Sequence, residues 1–251
     1  SSGKSLLRII NDILDLSKIE AGRIEILNEA TDPYKLIEEV RQVFSLKVKE
    51  KGLFFRVDID PALPKGLILD ATRLRQVLFN LIGNALKFTS KGGISIDVKA
   101  KEHIEELDLS TVDVDFVISD TGIGIPENQQ KRIFEAFRQQ EGQSVGKYGG
   151  TGLGLTISRR LVEMMNGEIS LTSAEGEGSK FCVQLKRVQV SAISHDDSEI
   201  ETNLSGIRFN SAKVLVIEDI ESNRKVIRGY LENHDIQIFE AENGLIGVDK
   251  A

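Results

Sequence analysis

The sequence predicts an α+β fold in which helices cover one face of an antiparallel or mixed sheet. Several runs repeat apolar residues at three- and four-residue spacing, the period of an amphipathic helix. Others alternate apolar and polar residues as half-buried strands do, LFFRVDID (53–60) being the clearest. The order of the two kinds of run along the chain gives one sheet with helices packed on one side.

Each element has its own signal. Leu6, Ile9, Ile13 and Leu16, with Ile10 and Leu14 beside them, form a broad apolar stripe that needs a partner helix, and Gly22 ends the run. Asp32-Pro33 opens a second helix with an N-cap and a first-turn proline. Its apolar positions are Leu36, Ile37, Val40, Val43 and Phe44, and Gly52 stops it. PALPKG (61–66) is a turn. Asp70 caps a third helix carrying Leu74, Val77, Leu78, Leu81, Ile82, Ala85 and Leu86. Strands ISIDVKA and DVDFVISD follow, then a short helix from Asn128 to Phe137. A helix from Gly154 to Met165 closes on Asn166-Gly167, a C-cap signal. EISLTSA and SKFCVQLKR are strands flanking the turn EGEG. Residues 191–212 are polar and weakly periodic, as in a linker. KVLVIED, a helix from Glu221 to Leu231 and IQIFEA then open a βαβ unit.

Composition narrows the function. Of 251 residues, 40% are apolar and 28% charged, which describes a globular protein. A net charge of -7 argues against general nucleic-acid affinity, and no apolar run is long enough to span a bilayer. The single cysteine, Cys182, excludes an internal disulfide and a cysteine-rich zinc site. Both ends of the chain fall inside helix-like runs, so a segment of a longer protein is expected.

The glycine-rich stretch KYGGTGLGLTIS (147–158) raises the question of a phosphate cradle. A Walker loop fails, because Glu141 stands where its first glycine belongs and Tyr148 where Ser or Thr belongs. A dinucleotide fingerprint started at Gly150 or Gly152 ends on Leu155 or Ile157. Three other stretches give the glycines meaning. RQVLFNLIGNALKFT puts Asn80, Asn84 and Lys87 on one helix face, where two amides and an ammonium can hold a metal, its waters and phosphate oxygens. SDTGIGIP places Asp120 at a strand end before Gly122 and Gly124, and KRIFEAF supplies Phe134 and Phe137.

These boxes, in this order, resemble the histidine kinase catalytic domain of the GHKL ATPase superfamily, over roughly residues 30 to 187. The resemblance implies a two-layer α/β sandwich of the Bergerat type that binds ATP with Mg2+. Asp120 looks like the carboxylate that accepts from the adenine amino group, Asn84 like the magnesium ligand and Lys87 like a phosphate contact. Gly122, Gly124 and Ile125 would line the base. Lys147, Tyr148, Gly150, Thr151, Gly152, Leu153, Gly154 and Leu155 would form a mobile lid and its phosphate-facing end, bordered by Phe134 and Phe137. In the superfamily's ATP-hydrolysing members a glutamate at position 80 activates water. Asn80 is neutral and cannot serve as that base, which favours transfer to a supplied acceptor over hydrolysis.

The flanks extend the likeness. Residues 1–24 resemble the second helix of the kinase dimerisation and phosphoacceptor hairpin, which implies a homodimer. None of His103, His195 and His234 sits in the family's phosphoacceptor setting, so the acceptor histidine is expected outside this chain. Residues 213–251 resemble the start of a response-regulator receiver, with Glu218 and Asp219 matching its magnesium-binding pair. The expected organisation is hairpin helix 1–24, ATP-binding domain 30–187, linker 188–212 and truncated receiver 213–251. The implied function is the catalytic core of a hybrid sensor histidine kinase in a phosphorelay, cytoplasmic, without direct membrane contact. Its partners would be its own hairpin and receiver. The competing expectations are a conformational ATPase of the same superfamily and a nucleotide-binding scaffold without kinase activity.

Overall fold

The computed structural model describes residues 2–106, 109–135, 152–191, 212–231 and 236–250, in two units, Ser1–Ile193 and Ser194–Ala251. The first contains α1 (Ser2–Glu20), β1 (Glu29–Thr31), α2 (Pro33–Glu50), β2 (Phe54–Ile59), β3 (Leu67–Leu69), α3 (Ala71–Phe88), β4 (Gly93–Glu106) and β5 (Leu109–Asp120). It continues with α4 (Glu127–Gln130), a 3-10 turn (Arg132–Phe134), α5 (Gly154–Met164), β6 (Gly167–Ala174) and β7 (Gly178–Val190).

Two aspartates start the helices of the first layer. Asp32 is extended, and its carboxylate accepts from the Tyr34 and Lys35 amides ahead of Pro33. Asp70 accepts from the Arg73 amide at 2.9 Å, and its second oxygen accepts from the Leu27 amide at 3.0 Å. That buried carboxylate therefore caps α3 and anchors the segment before β1. Asp70→Ala is expected to cost about 2–3 kcal/mol of unfolding free energy, against about 1 for Asp32→Ala, because it also orphans Leu27 N–H. Urea denaturation of both variants checks this, and equal losses would contradict the tether.

The strands lie in the order β1-β3-β7-β5-β4-β2, with β6 also paired to β7. All pairings are antiparallel except β2 with β4, so the sheet is mixed. Alternation decides its faces. Ile94, Ile96 and Val98 of β4, Val114, Phe116 and Ile118 of β5, and Phe181, Val183 and Leu185 of β7 are buried in one core cluster. Leu36, Ile37 and Val40 of α2, Leu74, Leu78, Leu81 and Ile82 of α3, and Leu161 and Val162 of α5 belong to the same cluster. The intervening positions Ser95, Asp97 and Lys99 leave the other face polar. At the foot of α5, Asn166 takes φ 58 as the left-handed residue ending the helix.

One expectation needs correcting. The sequence predicts one helix over 128–137, but α4 stops at Gln130 and a 3-10 turn directs Phe134 inward. The Phe134 ring packs edge-on against Phe181, with centroids 6.5 Å apart, and its carbonyl accepts from Thr156 Oγ1 and Arg159 Nη2 instead of extending a helix. The turn expected at 61–66 leads directly into β3, which the sequence does not announce, and neither does it announce β1. Three residues are too few for alternation to register.

The stripe on α1 is divided. Leu16 and Ile19 pack against the core, and Asp15 accepts from Gln76 of α3 at 2.9 Å. Leu7, Ile10, Ile13 and Leu14 remain exposed. No helix among the described residues is long and apolar enough to cross a membrane.

In the second unit, β8 (Ala212–Ile217) pairs in parallel with β9 (Ile236–Ala241). α6 (Glu221–Leu231) connects them, and α7 (Gly244–Lys250) follows.

Candidate functional site

α3 organises the site, because one flank of it meets α5 and its C-terminus meets the end of β5. Asn80 points at α5, where its amide nitrogen donates to Ser158 Oγ at 2.9 Å. Gly154, the first residue of α5, lies directly against that amide, and a Cβ there would overlap Asn80 Oδ1. The obstacle is a movable side chain rather than backbone. Gly154→Ala is therefore expected to leave stability within about 1 kcal/mol. By displacing the Asn80 amide it should weaken ATP binding about five- to tenfold, the worth of one hydrogen bond. Titration calorimetry with parallel thermal melts checks it; unchanged binding would contradict the assignment.

At the other end, Asp120 closes β5, paired across the sheet with Ile94 and Ser179. Its Oδ1 accepts from the Gly122 amide at 2.8 Å. Burial raises the carboxyl above its usual range, while the Gly122 and Ser179 amides and the Thr89 hydroxyl pull in the opposite direction. Gly122 runs so close to the end of α3 that a Cβ would sit 2.6 Å from the Phe88 carbonyl oxygen. The C-terminus of α3 is thus the back wall beside Asp120. Asn84, Lys87 and Phe88 lie half-buried between the two ends, with the Lys87 ammonium 4.5 Å from the Phe88 ring centroid.

The loop after Asp120 is fixed from behind. Gly124 has φ 69 and abuts the Ala174 carbonyl. Ile125 N–H donates to Ser173 Oγ at 2.8 Å, and Gln130 donates to the Ile125 and Ser173 carbonyls at 3.0 and 2.8 Å. Ser173 in turn donates to the Gly178 carbonyl at 2.7 Å. Sequence reasoning missed Ser173, Gln130, Ser158 and Thr89. Ser173 lies in the strand EISLTSA and Gln130 in the predicted helix, where no local signal sets them apart, while Ser158 and Thr89 close two of the boxes.

The remaining candidates are dispersed. Phe134 and Leu153 are buried in the core, Leu155 packs on it, and Gly152 has φ 71. Phe137, Lys147, Tyr148, Gly150 and Thr151 lie outside the described residues, as do His195 and His234; His103 is paired with Val112 in the sheet. In the second unit Glu218 follows β8 and Asp219 is exposed. Glu218 Oε1 accepts from the Ile220 amide and the Asn223 amide nitrogen, each at 3.1 Å, and the Ile220 amide chiefly holds the carboxyl below its usual range.

The donor set fits a nucleotide better than a protein-caged ion. A half-buried carboxylate stands beside Gly122, two residues before Gly124, and amides and a lysine lie along the adjoining helix. Among the described residues no group of three or more His, Cys, Asp or Glu side chains could enclose a metal. A magnesium ion here would take most of its ligands from phosphate and water, which is its ordinary habit.

A mixed sheet covered on one face by α2, α3 and α5, with these residues at the ends of α3 and β5, is the arrangement of a GHKL-type ATP-binding domain. Residues 69–189 match, and are a domain of, the family described as histidine kinase-, DNA gyrase B- and HSP90-like ATPase. The chain is similar along its whole length to the autoinducer 2 sensor kinase/phosphatase LuxQ of Vibrio vulnificus, 34% identical over 250 residues. Over 187 residues, 74% of the chain, it is 43% identical to hybrid signal transduction histidine kinase L of Dictyostelium discoideum. The chain spans 29% of the first and 11% of the second. The crystal structure of full-length ShkA in complex with AMPPNP matches 99% of this chain and 48% of its own, with TM-score 0.66 and 27% identity. The chain carries a histidine kinase ATPase domain homologous to those of hybrid sensor kinases.

Proposed function

We propose that this chain is the ATP-binding catalytic core of a hybrid sensor histidine kinase, which transfers the γ-phosphoryl of ATP to a histidine supplied from outside it. One observation carries the reading. α3 joins the Asp120 pocket to the glycine-rich start of α5, with Asn80 against Gly154 and Phe88 against Gly122. Asn80 and Phe88 are eight steps apart along the helix, about 12 Å, which suits an extended nucleoside triphosphate. Asp120 then accepts from the adenine amino group beside Gly122, Gly124 and Ile125. Asn84 holds magnesium, and Lys87 neutralises phosphate charge. The positive end of the α5 dipole at Gly154 would draw the phosphates.

Asn80 supports transfer over hydrolysis. It is a neutral amide already donating to Ser158, so it neither takes a proton from water nor carries the charge to do so. What remains for the protein is alignment and charge stabilisation, which suffices for phosphoryl transfer.

The wider assignment follows the relatives. Residues 1–24 act as half of a hairpin that dimerises through the exposed side of α1, residues 188–212 as a linker, and 213–251 as the start of a receiver using Glu218 and Asp219. The parent works at the cytoplasmic side of a membrane or free of it. The test is ATP binding by calorimetry with magnesium and with EDTA. Binding is expected to weaken at least about tenfold in EDTA, and Asn84→Ala should remove most of that difference. Equal affinity in both conditions would contradict the metal role of Asn84.

A further inference from the structure

We infer that Ser158 is a positioning residue of the phosphate end: its buried hydroxyl pins the Asn80 side-chain amide against the first residue of α5, so that the amide meets a bound triphosphate in one orientation. This rests on the reading that the phosphates of the nucleotide lie at the start of α5.

Ser158 sits one turn into α5, with 2% of its surface exposed. The residues buried with it on the helix are mostly apolar, Ile157, Leu161 and Val162, all in the core cluster. Serine is a poorer helix former than alanine, and a buried hydroxyl is costly unless it is bonded. The partner comes from another helix. Asn80 Nδ2 donates to Ser158 Oγ at 2.9 Å, across 78 positions of sequence.

Gly154 supplies a second observation. It lies four residues before Ser158, on the same face of α5. Its backbone does not take the left-handed conformation that would call for glycine. What excludes a side chain there is Asn80, because a Cβ would overlap Oδ1 first, with Cγ and Nδ2 next. One position of α5 therefore makes room for the amide, and the position a turn later binds it. The fold alone does not ask for this, since apolar groups in place of both partners would pack the two helices without a hydroxyl to satisfy. An unheld amide could turn either end to the nucleotide. With its nitrogen bonded to Ser158, its oxygen remains for donors such as the waters around a triphosphate, and phosphate oxygens are themselves acceptors.

The test uses the full chain with magnesium and two ligands, ATP and adenosine, which has the base but no phosphates. Ser158→Ala is expected to weaken ATP binding roughly 2- to 10-fold, the range of one hydrogen bond, and to leave adenosine binding unchanged. The melting temperature should hardly move, because the half-buried Asn80 nitrogen can bond water instead. In an Asn80→Ala background the same change should cost nothing more, since the group it positions is gone. Equal losses for both ligands, an ATP affinity that Ser158→Ala leaves intact, or additive losses in the double variant would each overturn the inference and leave Ser158 a packing contact. A wild-type chain that binds ATP no more tightly than adenosine would instead overturn the placement of the phosphates at α5, and this proposal with it.

Discussion

Asp120→Asn is expected to weaken ATP binding about 10- to 150-fold, the range for a hydrogen bond to a charged group, while the fold loses less than about 1 kcal/mol. Asparagine keeps an oxygen for the Gly122 amide, so the turn after β5 survives. Its nitrogen, however, would confront the adenine amino group donor to donor. Replacing the carboxylate also removes a buried charge, because desolvation dominates the upward shift of Asp120. Calorimetry measures the first effect and urea denaturation the second.

The same shift sets a pH dependence with two opposite signs. Asp120 protonates more readily in the folded protein than in the unfolded chain. As pH falls through the window between the folded and the ordinary aspartate value, this group stabilises the nucleotide-free fold, and that contribution disappears as pH rises through the folded value. ATP binding needs the ionised carboxylate, so affinity declines over the same window as pH falls. In Asp120→Asn that part of the affinity profile should be flat. A profile identical to the wild type would remove Asp120 from the site.

Gly124→Ala is expected to cost about 2–4 kcal/mol and to abolish nucleotide binding, a larger combined effect than that of Asp120→Asn. Two causes add. The residue sits at φ 69, where an alanine is strained, and its Cβ would overlap the Ala174 carbonyl oxygen, which is backbone. Neither neighbour can yield cheaply, because Ser173 and Gln130 bind this loop to the end of β6 and the Gly176 amide of the following turn donates to the Ile123 carbonyl. Gly176 provides the comparison. It has φ 83, but a methyl group added there would meet nothing within 4 Å, so Gly176→Ala should show the conformational cost alone, about 1 kcal/mol. Denaturation of both variants separates strain from collision; equal losses would mean that the contact with Ala174 is unimportant.

Much of this was legible in the sequence, and the physical reasons are uneven. Asp32-Pro33 and Asp70 announced their helices because an N-cap is a local interaction between neighbours in the chain. The long strands announced themselves because one face is buried under helices and the other is polar, so alternation is imposed. β1 and β3 carried no such signal, since three residues cannot show a period. Phe134 turned inward because of Phe181 and α5, both distant in sequence. The boxes named the residues that would face a nucleotide, Asp120, Asn84 and Gly154 among them. They did not reveal that Asn80 braces α5 through Ser158, or that Ser173 holds the glycine turn. Those contacts join residues 78 and 48 positions apart, and only the folded sheet brings them together.

Transfer to an external histidine can be tested in a single assay. The chain is incubated with γ-labelled Mg-ATP and a separately supplied phosphoacceptor hairpin, and labelled hairpin and free phosphate are measured together. The expected outcome is label on the hairpin in an acid-labile, base-stable bond, with little phosphate released when the hairpin is left out. Steady phosphate release without the hairpin, and an unlabelled hairpin when it is present, would mean that the chain hydrolyses ATP instead of transferring its phosphoryl group.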